Sequence, residues 1–367
     1  MEPLVPLVPP TVGQGLTTPA EYLNPEILIQ NLRSSQPELY AKFESALKDF
    51  CITLPDGTLA LDYTTTNTYE VCPLKSKRRY LDHLTTVPET RRPALEFGHA
   101  LHKAWETWYG LQGKVDVTPP QRLQSAIDAF VDDYTDIPGE ELRTRDRGMR
   151  FLKYYADRFP SEDFQIIQLE LPITFDIGHP RIKRLSKVDA VVKWPEGQYS
   201  PFEHKHTAAF GDSYFNQFSP NEQIDTEIMA VRSRFGPGCY GAYVNCAVIR
   251  KGGPRSKLPE FDVFRELVNR TEQDLEWTRR NLVSLYYDIE LRILRHVSGG
   301  HISDVWPGYR KSCHEFRTGC PYRRLCKVGD NDEPQNVDAA ERERWFREEK
   351  WDPFKLDEDN VETGGSE

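Results

Sequence analysis

Long apolar runs, a secretion signal and a basic surplus are all missing from this sequence of 367 residues. No stretch approaches the roughly 18 apolar residues that a membrane-spanning helix needs, so we predict that the protein has no membrane span. The first twenty residues lack the basic start and apolar block of a signal peptide, and we therefore expect a cytoplasmic protein. Because cytoplasmic thiols stay reduced, the seven cysteines are first interpreted as metal or cluster ligands rather than as a disulfide framework.

The formal net charge of −10 argues against a protein that coats DNA nonspecifically through a general basic surface. Residues 330–367 hold fourteen Asp or Glu and five Lys or Arg, so the rest of the chain is nearly neutral and can still carry a local basic groove. We predict a flexible N-terminal arm over residues 1–20, one folded domain over residues 21–329 and an acidic, largely flexible tail over residues 330–367. Within that tail, residues 338–350 are expected to form an isolated helix.

Helical and strand-like patterns alternate along the folded domain. Apolar residues at helical spacing predict three helical regions, at residues 25–50, 93–110 and 120–159. Apolar residues that alternate with polar residues predict three successive strands, at residues 169–177, 187–193 and 199–206.

A capping-box pattern follows the third strand. Ser219-Pro220-Asn221-Glu222 predicts a helix whose N-cap is Ser219 and whose first helical residue is Pro220. A strand at residues 238–249 and a long helix at residues 271–296 come after it. The order of helix, three strands, helix and strand predicts an α/β domain in which a mixed sheet is flanked by helices.

Two carboxylates and a lysine lie on the second and third predicted strands. Glu203 and Lys205 are two residues apart and therefore point to the same face, and Asp189 lies on the preceding strand within plausible reach. Hard carboxylate oxygens suit Mg²⁺ or Mn²⁺, and an ammonium beside the metal can stabilise negative charge that develops on a reacting phosphate. A same-face ion pair of little energetic value is the alternative interpretation of Glu203 and Lys205.

The ordered series Gly98-x-x-x-His102, Asp189, Glu203-x-Lys205 and Gln223 resembles the RecB-like branch of the PD-(D/E)xK nuclease superfamily, over about residues 72–326. The resemblance implies a restriction-endonuclease-like core. It also implies that His102, Asp189 and Glu203 bind a divalent metal and that Lys205 assists the attacking water.

Further residues enter the predicted site through the same resemblance. The backbone carbonyl of His204 is expected to reach the metal, while the side chain of His204 points to the opposite face of the strand. Gln223 is a second-tier site residue, because Glu227 stands where the family usually has a tyrosine in a Gln-x-x-x-Tyr motif. Glu170 resembles an acidic residue that often precedes the catalytic aspartate and serves a second metal; an ordinary solvated strand residue is the alternative.

Four cysteines form a second candidate metal site. Cys313, Cys320 and Cys326 lie in a short segment rich in Gly and Pro, and Cys72 lies far upstream before a proline, like Cys320. Thiols that converge in this way favour a metal, and zinc or an iron–sulfur cluster both accept four thiolates. One early cysteine and three late ones resemble AddB-type helicase–nuclease subunits and CRISPR-adaptation Cas nucleases, which implies a 4Fe–4S cluster that clamps the fold.

Basic residues surround these cysteines, and we predict that they form a phosphate-binding rim. Tyr80, Tyr309 and Tyr322 are predicted to stack on unpaired bases beside it. The basic residues of the rim are Lys75, Lys77, Arg78, Arg79, Arg310, Lys311, Arg317, Arg323 and Arg324.

The resemblance implies a metal-dependent DNA nuclease, an exonuclease on single-stranded or end-bearing DNA in recombination, repair or phage DNA processing. The sequence has no G-x-x-x-x-G-K-[S/T] phosphate loop, so unwinding would require a separate helicase or recombination protein. We expect the enzyme in the cytoplasm of a prokaryotic or phage-infected cell. Two alternatives stay open: a catalytically silent DNA-binding subunit that keeps the cluster, and a zinc-stabilised interaction protein.

Overall fold

The structure is a computed structural model, and it describes residues 25–87, 93–211, 213–251, 258–317, 319–327 and 343–354. The predicted N-terminal arm and most of the predicted acidic tail lie outside these residues. No helix in the described ranges has the length and apolar character that crossing a membrane requires.

Helices lie before and after the main run of strands, which begins at residue 165. Those before it are α1 (Pro25–Ser35), α2 (Pro37–Phe50), α3 (Tyr63–Val71), α4 (Pro73–Ser76), α5 (Pro93–Gly110), α6 (Pro119–Asp133) and α7 (Arg145–Arg158). Those after residue 207 are α8 (Glu222–Phe235), α9 (Glu272–Val297), α10 (Ile302–Val305) and α11 (Arg323–Lys327).

The central sheet has seven strands. They are β1 (Ile52–Thr53), β2 (Leu59–Leu61), β4 (Gln165–Phe175), β5 (Ile182–Lys193), β6 (Tyr199–Thr207), β7 (Gly241–Ile249) and β8 (Phe261–Asn269). Six follow the order β1-β2-β5-β6-β7-β8, and β4 pairs with β5. The ladders β2–β5 and β6–β7 are parallel and the others are antiparallel. The predicted mixed sheet is therefore confirmed.

Strand β5 organises the sheet because three strands pair with it. β4 runs along most of one edge, from residue 184 to residue 193. On the other edge, β6 pairs with residues 190–193 and β2 with residues 182–184. Between these two ladders β5 and β6 separate, and Asp189 lies at the point of separation.

Apolar packing covers both faces of the sheet. Helices α5, α6 and α7 pack on one face around Trp105, Phe130 and Phe151. Helices α2, α8 and α9 pack on the other face around Phe43, Ile228 and Ile289. Burial of such large side chains supplies most of the stabilising free energy of a domain of this size, and it fixes α5 and α8 on opposite sides of β5 and β6.

Several predicted boundaries are wrong for local reasons. The helix predicted over residues 25–50 is two helices, because Pro37 starts α2 and a proline is accepted at a helix start but not inside a helix. The capping box predicted at Ser219 is also wrong. Asn221 is the N-cap of α8 and accepts a hydrogen bond from the backbone of Ile224, and the Ser219–Pro220 peptide bond before it is cis.

Five strands of the described residues are absent from the sequence-based prediction: the short β1 and β2, β3 (Leu84–Thr86), β8 and β9 (Phe346–Glu348). β8 lies at the edge of the sheet, and because Val263 and Val268 alone are buried along it, its alternation is weak. β9 pairs with β3, so the helix predicted over residues 338–350 is wrong at these positions.

The segment of residues 343–354 packs on the folded domain. The Trp351 indole donates a hydrogen bond to Asp62, 3.1 Å away, and the Arg79 guanidinium lies over its ring at 5.2 Å. Lys350 donates to the carbonyl oxygen of Lys48. This part of the predicted tail is thus held by specific contacts.

Replacing Trp351 tests that attachment. We expect Trp351→Ala to lower the free energy of unfolding by about 1–3 kcal/mol, because it removes a half-buried ring and the partner of a buried carboxylate. Phe354→Ala, at an exposed position of the same segment, should change it by no more than about 0.5 kcal/mol. Denaturant unfolding measures both, and equal effects of the two substitutions would contradict the attachment.

Candidate active site

The candidate site lies where β5 and β6 separate. The last paired residues of their ladder are Ala190 and Phe202, and the backbone N–H of His204 then donates to Asp189 Oδ2 at 2.9 Å instead of to a backbone carbonyl. The Asp189 carboxylate thus takes a donor that would otherwise be unpaired. It also remains accessible from the helices on either side.

Helix α5 brings a histidine to this carboxylate. His102 Nδ1 lies 3.4 Å from Asp189 Oδ2. His102, Glu170 and Asp189 each offer one ligand atom, and these three atoms all lie within 4.8 Å of one another. One imidazole nitrogen and two carboxylate oxygens at this spacing are suited to hold a divalent cation.

Glu170 occupies this group through an unusual backbone conformation. Its φ is +46°, in the left-handed region that residues other than glycine rarely adopt, and this conformation costs on the order of 1–2 kcal/mol. The side chain is half-buried and Lys187 Nζ contacts it at 2.9 Å. Burial, reinforced by the charge of Asp189, raises the pKa of Glu170 to about 7.

Glu203, Lys205 and Gln223 form a second group, on the side of α8. Lys205 Nζ donates to Glu203 Oε1 at 2.5 Å and to Gln223 Oε1 at 3.1 Å. The Gln223 amide nitrogen donates to Glu203 Oε1 at 2.7 Å. Glu203 Oε2 is buried and has no hydrogen-bond partner among the described residues, so it is available to a cation.

Glu227 lies one helical turn beyond Gln223 and also contacts it. The Gln223 amide nitrogen donates to Glu227 Oε1 at 2.9 Å as well as to Glu203. Both amide hydrogens therefore meet carboxylates, and the amide oxygen is fixed toward Lys205. The tyrosine usual at this position is absent, yet Gln223 still lies within the site.

The charges of the site reinforce one another. Burial by itself raises the pKa of Asp189, but the neighbouring His102 outweighs it and holds that pKa well below its ordinary value. Burial, and then the charge of Asp189, raises the pKa of Glu203. Burial, and then the charge of Glu203, raises the pKa of Glu227 well above its ordinary value. The crowded carboxylates of Glu203 and Glu227 therefore hold protons more tightly than isolated ones, and a bound cation would relieve their mutual repulsion.

His204 points to the opposite face, as its strand position predicts. Its ring stacks on Trp105 with centroids 4.5 Å apart, and its Nδ1 lies 2.9 Å from the Asn245 amide nitrogen. Arg265 donates to Asn245 Oδ1, which orients that amide so that its nitrogen donates to His204. Burial lowers the pKa of His204 to about 3, so the ring is neutral. Asn245 and Arg265 were not predicted; a polar residue within an apolar strand is the only feature that marks Asn245.

The glycine of the Gly98-x-x-x-His102 motif allows a close approach. A Cβ atom at Gly98 would lie 2.4 Å from Cε1 of the His206 ring, far inside van der Waals contact. The His206 side chain is thus packed between β6 and α5, and it sets the distance between the helix that carries His102 and the strand that carries Glu203.

The four candidate cysteine ligands are brought into one neighbourhood. Burial, together with the charges that Cys320, Cys72 and Cys313 carry when ionised, raises the pKa of Cys326 to about 11 against the opposing charge of Arg78. The backbone N–H of Cys320 donates to the carbonyl oxygen of Cys313 at 2.9 Å. Cys72 therefore lies near enough to the C-terminal trio for their charges to interact.

Some of the predicted rim is used inside the fold. Lys77 and Arg78 are buried and pair with Asp82, and Arg79 donates to the carbonyl oxygen of Glu349. These three side chains are therefore occupied by contacts within the protein.

The predicted stacking role is wrong for two of the three tyrosines. Tyr80 and Tyr322 are buried, and the Tyr322 hydroxyl donates to the carbonyl oxygen of Leu84. Tyr309 is exposed.

Replacing Gly98 tests the close approach to His206. We expect Gly98→Ala to lower the free energy of unfolding by about 1–3 kcal/mol, since the new methyl group overlaps the imidazole ring and must displace it. Gly110→Ala, at the end of the same helix, places its methyl 3.4 Å from a flexible leucine side chain and should change it by no more than about 0.5 kcal/mol. Urea unfolding measures the free energy of unfolding of both variants. A Gly98→Ala variant as stable as the wild-type protein would contradict this packing.

Comparison with known proteins agrees with this geometry. The family model of the PD-(D/E)XK nuclease superfamily matches residues 60–327, which include every residue of the candidate site and all four candidate cysteine ligands. Among curated proteins, none matches the chain significantly. The chain belongs to the PD-(D/E)XK nuclease superfamily.

Proposed function

We propose that this protein is a divalent-metal-dependent deoxyribonuclease that degrades single-stranded DNA or DNA ends exonucleolytically. The observation that carries the proposal is the meeting of His102, Glu170 and Asp189 beside the Glu203–Lys205 pair. Nuclease activity follows from the superfamily, whose members use divalent metals such as Mg²⁺ or Mn²⁺. The preference for ends and single strands rests on the RecB-like resemblance.

The donors present fit such a metal. His102, Asp189 and Glu203 would hold it, with Glu170 and the backbone carbonyl of His204 as further ligands. The unpartnered, buried Glu203 Oε2 supports this assignment, because an unpaired buried carboxylate oxygen is costly unless a cation or donor meets it. When bound, a divalent cation withdraws charge from a scissile phosphate and lowers the pKa of a water molecule.

Lys205 would act directly on the reacting phosphate or water. Burial lowers the pKa of its ammonium group, but the carboxylates of Glu203 and Glu227 outweigh burial and raise the pKa, so Lys205 stays protonated. Glu203 and Gln223 take two of its three N–H donors. The third is left for the substrate, where a fixed positive charge stabilises charge that develops in the transition state.

The four cysteines would hold a 4Fe–4S cluster. Cys72 ends α3, whereas Cys313, Cys320 and Cys326 lie beyond α9, so a cluster would tie together two regions that enclose the sheet. Its role would be structural. Four thiolates would also accept zinc, and metal analysis distinguishes the two.

The biological setting we propose is recombination, repair or phage DNA processing in the cytoplasm of a prokaryotic or phage-infected cell. DNA would be the partner, and unwinding would come from a separate helicase or recombination protein, because the sequence has no P-loop motif.

Removing single side chains of the site tests the catalytic proposal. We expect Glu203→Ala and Lys205→Ala each to reduce Mg²⁺- or Mn²⁺-dependent cleavage of end-labelled single-stranded DNA at least about a hundredfold, through loss of a metal ligand or of a transition-state charge. Glu196→Ala, in the exposed turn between β5 and β6, should retain full activity. A wild-type protein that binds DNA but never cleaves it would instead be a silent DNA-binding subunit.

Metal content tests the cluster proposal. Protein purified without oxygen should contain about four irons and four sulfides per chain. Cys326→Ser should lose most of the iron, whereas Cys239→Ser, outside the four, should keep it. One zinc ion per chain would disprove the cluster and favour the zinc-stabilised alternative.

A further inference from the structure

A pocket opens directly beyond the catalytic strand. β6 and β7 are parallel, so both end at the same edge of the sheet, with Thr207 beside Val248. Residues 208–211, together with Tyr214, Arg250 and Leu258, line a cavity of about 460 Å³ at this edge. Lys205 lies three residues before the pocket begins, a distance of about 10 Å along a strand.

One pocket residue connects the cavity to the site. The Tyr214 hydroxyl lies beside the Cys246 thiol. Cys246 is the register partner of Lys205 on the neighbouring strand, and adjacent strands lie about 4.8 Å apart. Tyr214 is therefore within two strand spacings of Lys205.

The pocket wall is aromatic. The ring of Phe210 lies flat on that of Phe264, with centroids 4.0 Å apart and planes 6° apart, and the ring of Tyr214 is 5.0 Å from it. The stack fixes the plane of Phe210. Among the described residues, none comes within 4 Å of a Cβ atom placed at Gly211, so a side chain added there has room.

A cation completes the pocket. Arg250 follows the end of β7, and its side chain donates to the carbonyl oxygen of Pro259 at 3.2 Å. A guanidinium has five N–H donors, so this bond leaves others that can meet an anion. Aromatic faces beside an arginine are the combination that recognises an unpaired base and its phosphate.

We propose that this pocket binds one unpaired nucleotide of the DNA strand that is being cleaved, with the base against Phe210 and the phosphate against Arg250. The proposal rests on the proposed DNA substrate and narrows it to strands that are single-stranded next to the scissile bond. Each nucleotide of a stacked strand advances about 3.4 Å. The bound nucleotide is therefore within about three positions of the phosphate that is cleaved.

Abasic scanning tests the pocket. Labelled single-stranded oligonucleotides, each with one abasic nucleotide at a different position, are bound to the full-length Lys205→Ala protein with Mn²⁺ and followed by fluorescence anisotropy. One abasic position should weaken binding about 5- to 150-fold, the effect of losing one base stack. Phe210→Ala should weaken binding of the intact strand to the same extent. The abasic nucleotide should then cost nothing further.

Two other variants report on the pocket without removing its wall. Gly211→Leu should fill the pocket and weaken DNA binding as Phe210→Ala does. Arg250→Gln should reduce the slope of log affinity against log salt concentration by the amount expected for about one phosphate contact. If circular dichroism shows that the Phe210→Ala variant is unfolded, these two variants replace it in the test. Tyr240→Ala, an exposed aromatic residue outside the pocket, should leave binding unchanged.

The outcomes separate this inference from the proposed nuclease. If the affinity losses caused by Phe210→Ala and by the abasic nucleotide multiply when combined, the two act independently and the pocket proposal is wrong. It is also wrong if the wild-type protein cleaves DNA but its binding is insensitive to every abasic position. If one abasic position weakens binding but no metal-dependent cleavage is detected, the pocket proposal stands and the nuclease proposal is wrong.

Discussion

The hydrogen bond from the backbone of His204 to the carboxylate of Asp189 is the interaction on which the site depends. It replaces a ladder bond at the point where β5 and β6 stop pairing, so the two strands separate without leaving a buried N–H unsatisfied. Helix α5 reaches the separation from one face with His102, and α8 reaches it from the other with Gln223. Two layers of helices thus contribute to one site, α5 through its contact with Asp189 and α8 through its contact with Glu203.

The sequence predicts the α/β class, and the nearness of Asp189 to Glu203 and Lys205, because both depend on short-range spacing. Glu203 and Lys205 share a face through the period of two along a strand, and the predicted strand order brings Asp189 close to them. What the sequence does not predict depends on tertiary contacts. The approach of His206 to Gly98 and the contact of Gln223 with Glu203 are set by packing between different elements of the chain.

Burial explains the errors among the predicted nucleic-acid contacts. Basic residues beside the cysteines resemble a phosphate-binding rim in sequence, but Lys77 and Arg78 neutralise Asp82 inside the fold and Tyr80 lies in the core. The sequence alone does not distinguish a charged side chain that faces solvent from one that pairs with a buried partner. The aromatic pocket next to β6 shows the reverse case, because Phe210 and Arg250 are ordinary in sequence and meet only in the folded chain.

The left-handed backbone of Glu170 carries a consequence for how this chain can change over time. Glycine would adopt that conformation without strain, so Glu170→Gly would relieve the backbone while deleting a carboxylate from the group formed with His102 and Asp189. Selection for stability and selection for the candidate metal-binding group therefore oppose each other at this one position. Selection for fold stability alone would not retain a glutamate at position 170.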